Sequence, residues 1–320
     1  MWIIVKRMTV HGPNQGERRG DPWDPAQYEQ FAVERNAPFF DLLALVRPIS
    51  GGRAADLGCG TGALTAELHQ RVQAAFTLGV DSSEAMLERA RALAGGGLSF
   101  ARGDIASFAD PGVPGGGSGA ASGWPGGGAG AGSGDTGTLR GPGDPGGQAP
   151  WDLIFSNAAV QWVPDHPRLL ERLAATLAAG GQLAVQVPAN HDHVSHLVAA
   201  ELAAEEPFSR ATGGYRRVNP VQPPERYAEL LERLGFAEQH VRLQIYPHHL
   251  AGPEQVIEWA RGTLLTDYQR RMPPELFERF LAGYRERLLP RLDQRRPYFY
   301  PFKRILLWAA GPADRAAPWS

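Results

Sequence analysis

Residues 53–62 read Arg53-Ala54-Ala55-Asp56-Leu57-Gly58-Cys59-Gly60-Thr61-Gly62. Arg53–Leu57 has the length and apolar content of a short buried strand, and it runs directly into a glycine turn. Ala63–Val72 then shows helical periodicity, so the segment predicts strand, turn and helix in succession. Glycines in such a turn permit positive φ and let a ligand come close to the backbone, while the helix start offers free N–H groups. Dinucleotide-binding folds use a similar turn, so the glycines alone do not choose the ligand. Asp56 narrows the choice, because an acid just ahead of the glycines suits an ammonium group and repels a pyrophosphate. The spacing is G-x-G-x-G, with Ala63 where a third dinucleotide glycine would fall.

Downstream, the same alternation repeats. Phe76–Val80 predicts a second strand ending at Asp81, Ser82 or Ser83 can cap a helix over Glu84–Leu93, and Leu98–Ala101 predicts a third strand ending at Gly103-Asp104. Asp81 is placed to accept both hydroxyls of a ribose, and Asp104 to accept an adenine amino group. Read structurally, Asp81 would cap the next helix and Asp104 would sit in a turn. Acids ending successive strands describe a cationic, adenosine-containing ligand better than an anionic one. Trp151–Ser156 predicts a fourth strand and Gln182–Val187 a fifth, with a helix over Leu169–Leu177 ending at Gly180-Gly181. Arg226–Leu234 and Glu238–Tyr246 add a helix and a strand, Val256–Leu265 and Leu276–Leu289 two amphipathic helices, and Arg304–Ala309 a last strand. Ahead of the glycine turn, Asp24-Pro25 starts an aromatic-faced helix carrying Tyr28, Phe31 and Arg35, and a second helix covers Phe39–Val46. Strands alternating with helices imply an α/β fold with a doubly wound, mostly parallel sheet.

Composition sets the limits. The 320 residues carry 32 Lys and Arg against 34 Asp and Glu, a net charge of −2, which leaves no field for gathering nucleic acid. The single cysteine, Cys59, excludes an internal disulfide and fits a reducing cytoplasm. No apolar run approaches the roughly 20 residues that span a bilayer, so a cytoplasmic protein without membrane contact is expected. Of 39 glycines, 17 fall in 111–150. That segment is expected to be a Gly/Pro-rich disordered insertion, with Trp124 solvated in it. Residues 1–20 and 312–320 read as tails around a domain at 21–311, with helical cap elements around 189–225 and 250–300.

Several segments together are more specific than the glycine turn. Trp23-Asp24-Pro25 with Tyr28, Phe31 and Arg35, the run Ser156-Asn157-Ala158-Ala159-Val160-Gln161-Trp162-Val163-Pro164-Asp165-His166, and Ala184–Pro188 with Asn190 resemble the trans-aconitate methyltransferase family. So do Tyr227–Leu231, Tyr246-Pro247-His248-His249 and Pro301-Phe302-Lys303-Arg304. The 111–150 insertion departs from that family. The resemblance implies a Rossmann-like, seven-stranded class I methyltransferase sheet with a helical cap, and S-adenosylmethionine as cofactor. It places that cofactor on Asp56, Gly58, Cys59, Gly60, Gly62, Asp81, Ser82, Asp104, Ile105 and Asn157. Cys59 is expected to fill space there, since nothing near it in sequence lowers its pKa toward a nucleophile's.

The resemblance also implies methyl transfer to a carboxylate of trans-aconitate or a similar small polycarboxylic acid. A carboxylate is ionised at pH 7, so no residue is required as general base. Alignment and exclusion of water carry such a reaction, and recognition falls to cations and hydrogen-bond donors. Candidates are Tyr28, Arg35, Trp162, Arg216, His248 and Arg304, with Arg217, Arg261 and Arg296 nearby in the chain. His248-His249 and His191-x-His193 lack ligand spacing, so no metal is expected. Two other functions use the same residues: methylation of another small or carrier-bound acceptor such as a malonyl-type thioester, and cofactor binding without turnover. A dinucleotide oxidoreductase fits the acids less well. The sequence sets no oligomeric state.

Overall fold

The computed structural model describes residues 32–108 and 149–311, with side chains from residue 36 onward. Trp23, Tyr28, Trp124, the Arg35 side chain, nearly all of the 111–150 insertion and both expected tails lie outside the described residues. Helix α1 (Ala32–Leu43) leads into β1 (Arg53–Leu57), α2 (Ala63–Arg71), β2 (Phe76–Asp81), α3 (Glu84–Ala90) and β3 (Leu98–Arg102). Then come β4 (Trp151–Asn157), α4 (His166–Ala175), β5 (Leu177–Pro188), α5 (Val194–Ala203), α6 (Phe208–Ala211) and α7 (Pro224–Arg233). β6 (Glu238–Leu250), α8 (Glu254–Arg261), α9 (Thr266–Arg271), α10 (Pro274–Leu288) and β7 (Tyr298–Ala310) complete the chain.

The strands form one 7-stranded sheet in the order β3-β2-β1-β4-β5-β7-β6. β1 to β5 pair in parallel, and β7 is antiparallel to both β5 and β6. Strand order reverses between β1 and β4, and a doubly wound sheet opens its ligand crevice at the carboxyl ends of the strands flanking that point. The glycine turn after β1 and the Asn157 end of β4 therefore face one crevice.

Two packed faces hold the sheet. Leu57, Leu78, Val80, Ile154, Val185, Val187, Ile305 and Leu307 meet Leu169, Leu173, Tyr227 and Leu231 of α4 and α7 on one face. On the other, Leu153, Phe155, Ala184, Leu306 and Trp308 meet Phe39, Leu42 and Leu43 of α1. These two sets come from alternate residues of the same strands, as a two-residue side-chain period requires. A separate cluster, including Val198, Leu202, Trp259, Tyr268, Phe280 and Tyr284, joins the cap helices α5 and α8–α10 to Tyr298, Tyr300 and Phe302 of β7.

The fold departs from the sequence expectation at definable places. Helix α1 runs through Pro38, where a separate helix from Phe39 was expected. Phe39 and Leu42 are fully buried, and that burial outweighs the roughly 3 kcal/mol a mid-helix proline costs. Gly180-Gly181 do not end a helix: α4 stops at Thr176 and β5 already begins at Leu177. Gly180 adopts φ 70°, and the β4–β5 register jumps there from Trp151 opposite Leu177 to Leu153 opposite Gln182. β6 and β7 run on together past β5 to 13 residues each, so β6 extends beyond its expected end at Tyr246 and takes in His248-His249. Among the described residues, no helix is long and apolar enough to cross a membrane.

Candidate active site

The glycine turn is shaped by left-handed backbone that glycine alone adopts readily. Gly58, Gly60 and Gly62 have φ of 83°, 55° and 79°. A Cβ on Gly58 would stand 2.2 Å from the Ala159 Cβ, whereas one on Gly60 would meet nothing within 4 Å. Gly58 thus packs against the loop after β4, and Gly60 faces open space. Asp81 ties the turn to the end of β2. Its Oδ2 accepts from the Gly60 N–H at 2.8 Å and its Oδ1 from the Ser83 N–H at 2.9 Å. The helix cap is not Asp81 but Ser83, whose hydroxyl accepts from the Met86 N–H.

A cleft lined by Gly58, Gly60, Asp81, Ser82, Met86, Gly103, Ile105, Asn157, Ala158, Ala159 and Trp162 runs along these strand ends. Six residues expected to hold the cofactor line it: Gly58, Gly60, Asp81, Ser82, Ile105 and Asn157. Asp56, Cys59, Gly62 and Asp104 are not among the lining residues. Asp104 caps the short 3-10 turn Ile105–Ser107, accepting from the Ala106 N–H at 2.9 Å. Gly62 would press a Cβ into Phe100 and Ala90. Cys59 is buried among Leu87, Ala90, Leu98 and Phe100, and burial raises its thiol well above the usual range, as befits a space-filler.

Asp56 is buried behind the turn, where its Oδ2 accepts from the Thr65 hydroxyl at 2.6 Å. Burial pushes its pKa up to about 7; the Thr65 hydrogen bond opposes this and the nearby Asp81 charge adds to it. A carboxyl whose folded pKa lies above its unfolded value contributes stability that is complete below the unfolded value, 3.8, and is lost as pH rises through about 7. Asp56→Asn keeps an oxygen for Thr65 and removes the titration. Melting of the cofactor-free protein across pH 4–8 is expected to show the variant and wild type converging at low pH. At pH 8 the variant should be more stable, by about 1.4 kcal/mol for each unit of the shift. A variant melting at or below wild type at pH 8 would contradict this assignment.

The cleft fits a cationic adenosyl ligand. The Asn157 Oδ1 is a buried acceptor with no hydrogen-bond partner among the described residues, Asp81 supplies a carboxylate, and Gly60 leaves its backbone accessible. Acceptors and an acid suit an ammonium, a sulfonium and ribose hydroxyls, and they would oppose a pyrophosphate.

Around the mouth of the cleft, the acceptor candidates separate. Trp162, on the 3-10 turn Val160–Trp162, lines the cleft. Arg216 is exposed; its neighbour Arg217, which residue type alone did not favour, lays its guanidinium 4.8 Å from the centre of the Trp162 ring. Arg217 Nη1 donates to Asp267 Oδ2 at 2.6 Å, and the Tyr215 hydroxyl donates to the same oxygen. His196 beside them is neutral: burial above all, then the Arg217 charge, pushes it down to about 3. His248 is packed between Trp259 and Phe302. Arg304 is buried on β7, at the carboxyl edge of β5 opposite Pro188. His166, the last residue of the most specific run and the first of α4, is a core residue. Its Nε2 donates to the Val160 carbonyl and its Nδ1 accepts from the Tyr227 hydroxyl, so two separated family-like segments meet there. Burial holds His166 neutral, at about 4.

Sheet order, antiparallel β7 and the glycine-turn cleft together define a class I S-adenosylmethionine-dependent methyltransferase. In agreement, the family described as "Methyltransferase domain" matches residues 28–241. The chain is 40% identical over 296 residues to a trans-aconitate 2-methyltransferase of Deinococcus radiodurans, covering 91% of this chain and 98% of that one. It is 35% identical over 285 residues to one from Variovorax paradoxus, at 89% and 94% coverage. A third, from Sinorhizobium fredii, is 37% identical over 268 residues, at 83% and 89%. The chain belongs to the trans-aconitate 2-methyltransferase family.

Proposed function

We propose that this protein esterifies a carboxylate of trans-aconitate or a similar small polycarboxylic acid with the methyl group of S-adenosylmethionine. The observation that carries this reading is Arg217. It is a cation with a side chain only 22% exposed, fixed by Asp267 and stacked on the tryptophan that walls the cofactor cleft. One nitrogen is used on Asp267, and a guanidinium has five N–H donors in a planar fork matched to carboxylates.

Bound in the cleft, S-adenosylmethionine supplies an activated sulfonium methyl group. Asp81 and the glycine turn would hold the adenosyl part, with the Asn157 amide oxygen as the acceptor for its cationic end. Trp162 closes the wall beside the reacting region and excludes water. Arg217 would orient the acid by a carboxylate that does not react, leaving another free to take the methyl group as its bond to sulfur breaks and S-adenosylhomocysteine leaves. The attacking oxygen is already ionised, so rate comes from alignment and desolvation.

The test is incubation of the full chain with methyl-labelled S-adenosylmethionine and trans-aconitate, followed by extraction of a base-labile methyl ester. Formation of a monomethyl ester is the expected result. Binding of S-adenosylhomocysteine with no ester from trans-aconitate or other di- and tricarboxylic acids would overturn the choice of acceptor. Turnover only with a carrier-bound thioester would move the protein to that acceptor class.

A further inference from the structure

Gln186, on β5, is fully buried at 0% exposure, yet its Nε2 has no hydrogen-bond partner among the described residues. Its orientation is set by chemistry. The Arg304 Nη1 donates to Gln186 Oε1 at 3.1 Å. Arginine offers no acceptor, so the amide oxygen must face Arg304 and the N–H groups must face away. A buried amide N–H left unpaired is costly, and such a group is retained where a ligand completes it.

The place is adjacent to the cofactor cleft. Gln186 is the cross-strand neighbour of Asn157, which lines the cleft, and adjacent strands lie about 4.8 Å apart. Gln186 alternates with Ala184, and Arg304 with Leu306 and Trp308, so both side chains lie on the α1 face of the sheet. Arg304 is 3% exposed and its guanidinium lies 4.9 Å from the Phe302 ring centre. On the same face Tyr246 donates its hydroxyl to Asp41 of α1 at 2.7 Å. An N–H donor beside a buried guanidinium selects a ligand atom that accepts and carries negative charge.

Resting on the carboxyl-methylation reading above, we infer that Gln186 Nε2, backed by Arg304, receives a carboxylate of the acceptor acid that is not methylated. Hydrogen bonds and a cation stabilise a carboxylate's lone pairs and make it the poorer nucleophile. The receptor also lies one strand beyond Asn157. With Arg217 holding one carboxylate, the site therefore favours acids with three, one anchored at β5–β7 and one at Arg217 while the third reaches the methyl group.

The experiment uses Gln186→Glu and Gln186→Met in the full chain. Gln186→Glu retains an oxygen for Arg304 and lacks the N–H; Gln186→Met removes both polar atoms. Calorimetry with S-adenosylhomocysteine checks the cofactor site, and steady-state kinetics separates KM from kcat for trans-aconitate. Expected are unchanged cofactor affinity, a KM raised about tenfold or more and a kcat within a few-fold of wild type, with Gln186→Glu the more affected because its charge repels the acid. Wild-type KM in both variants would overturn the inference, and so would loss of cofactor binding in Gln186→Glu, which would make the residue structural. If wild type esterifies no polycarboxylic acid, the proposed reaction fails by itself. Trans-aconitate binding to the S-adenosylhomocysteine-loaded protein then decides the inference. Binding by wild type that disappears in Gln186→Glu supports it, and binding that persists in the variant or is absent from wild type overturns it.

Discussion

Gly58→Ala is expected to remove detectable cofactor binding and to lower folding stability by about 3 kcal/mol or more. Two costs add at this position. The backbone stands at φ 83°, where an L-residue is strained, and the new Cβ would lie 2.2 Å from the Ala159 Cβ. Relief requires moving either the turn after β1 or the loop after β4, which are the two walls of the cleft. Calorimetry with S-adenosylhomocysteine and chemical denaturation of the same preparation measure the two effects. Gly60→Ala is the informative contrast. It carries a φ of 55° but has nothing within 4 Å of its Cβ, so its folding cost should be smaller while binding still suffers. A Gly58→Ala protein that binds the cofactor as wild type does would mean that these walls do not form the site.

Arg217→Met is expected to lower kcat/KM for the acid by about 30-fold or more, mostly through KM, with cofactor affinity nearly unchanged. The size follows from deleting a charged donor in a sheltered site, worth about 2 kcal/mol or more. Methionine can still cover the Trp162 ring, so the loss reads charge rather than packing. Arg217→Lys keeps the charge but not the planar fork, and should fall between the two. Part of the loss in Arg217→Met could come from leaving Asp267, which is 9% exposed, without its cation. Arg217→Met combined with Asp267→Asn removes that residue's charge and should not restore activity. Wild-type kcat/KM in Arg217→Met would overturn the role given to Arg217.

Much of the scaffold was legible because its signals are local. The strand-to-glycine junction at Leu57-Gly58, the strand ending at Asp81, and the buried run Trp151–Ser156 each depend on neighbours a few residues away. Alternation of such units constrains handedness and layer order. The same holds for the cleft proposed to take the cofactor, whose Gly58, Gly60, Asp81 and Ile105 sit at strand ends that the sequence marks. Where local preference met a stronger distant contact, the reading failed. Pro38 should break a helix, but burial of Phe39 and Leu42 against the sheet carries α1 through it. Gly180-Gly181 should stop one, but they shape the entry of β5 instead.

The acceptor side depended on contacts between distant residues. Arg216 and Arg217 are equivalent as sequence, and only the position of Trp162 and Asp267 separates an exposed cation from a held one. His166 lies in the most specific run yet is satisfied by Tyr227, 61 residues away. Gln186 is an unremarkable polar residue in a predicted strand until β7 brings Arg304 to its oxygen from 118 residues further on. The α/β layering, the glycine turn and the strand end at Asp81 were thus legible in the sequence, because short-range geometry and side-chain periodicity encode them. Which cations are held and which amides are buried was decided by tertiary packing, since burial and hydrogen-bond partnership belong to surfaces formed only when separated segments meet.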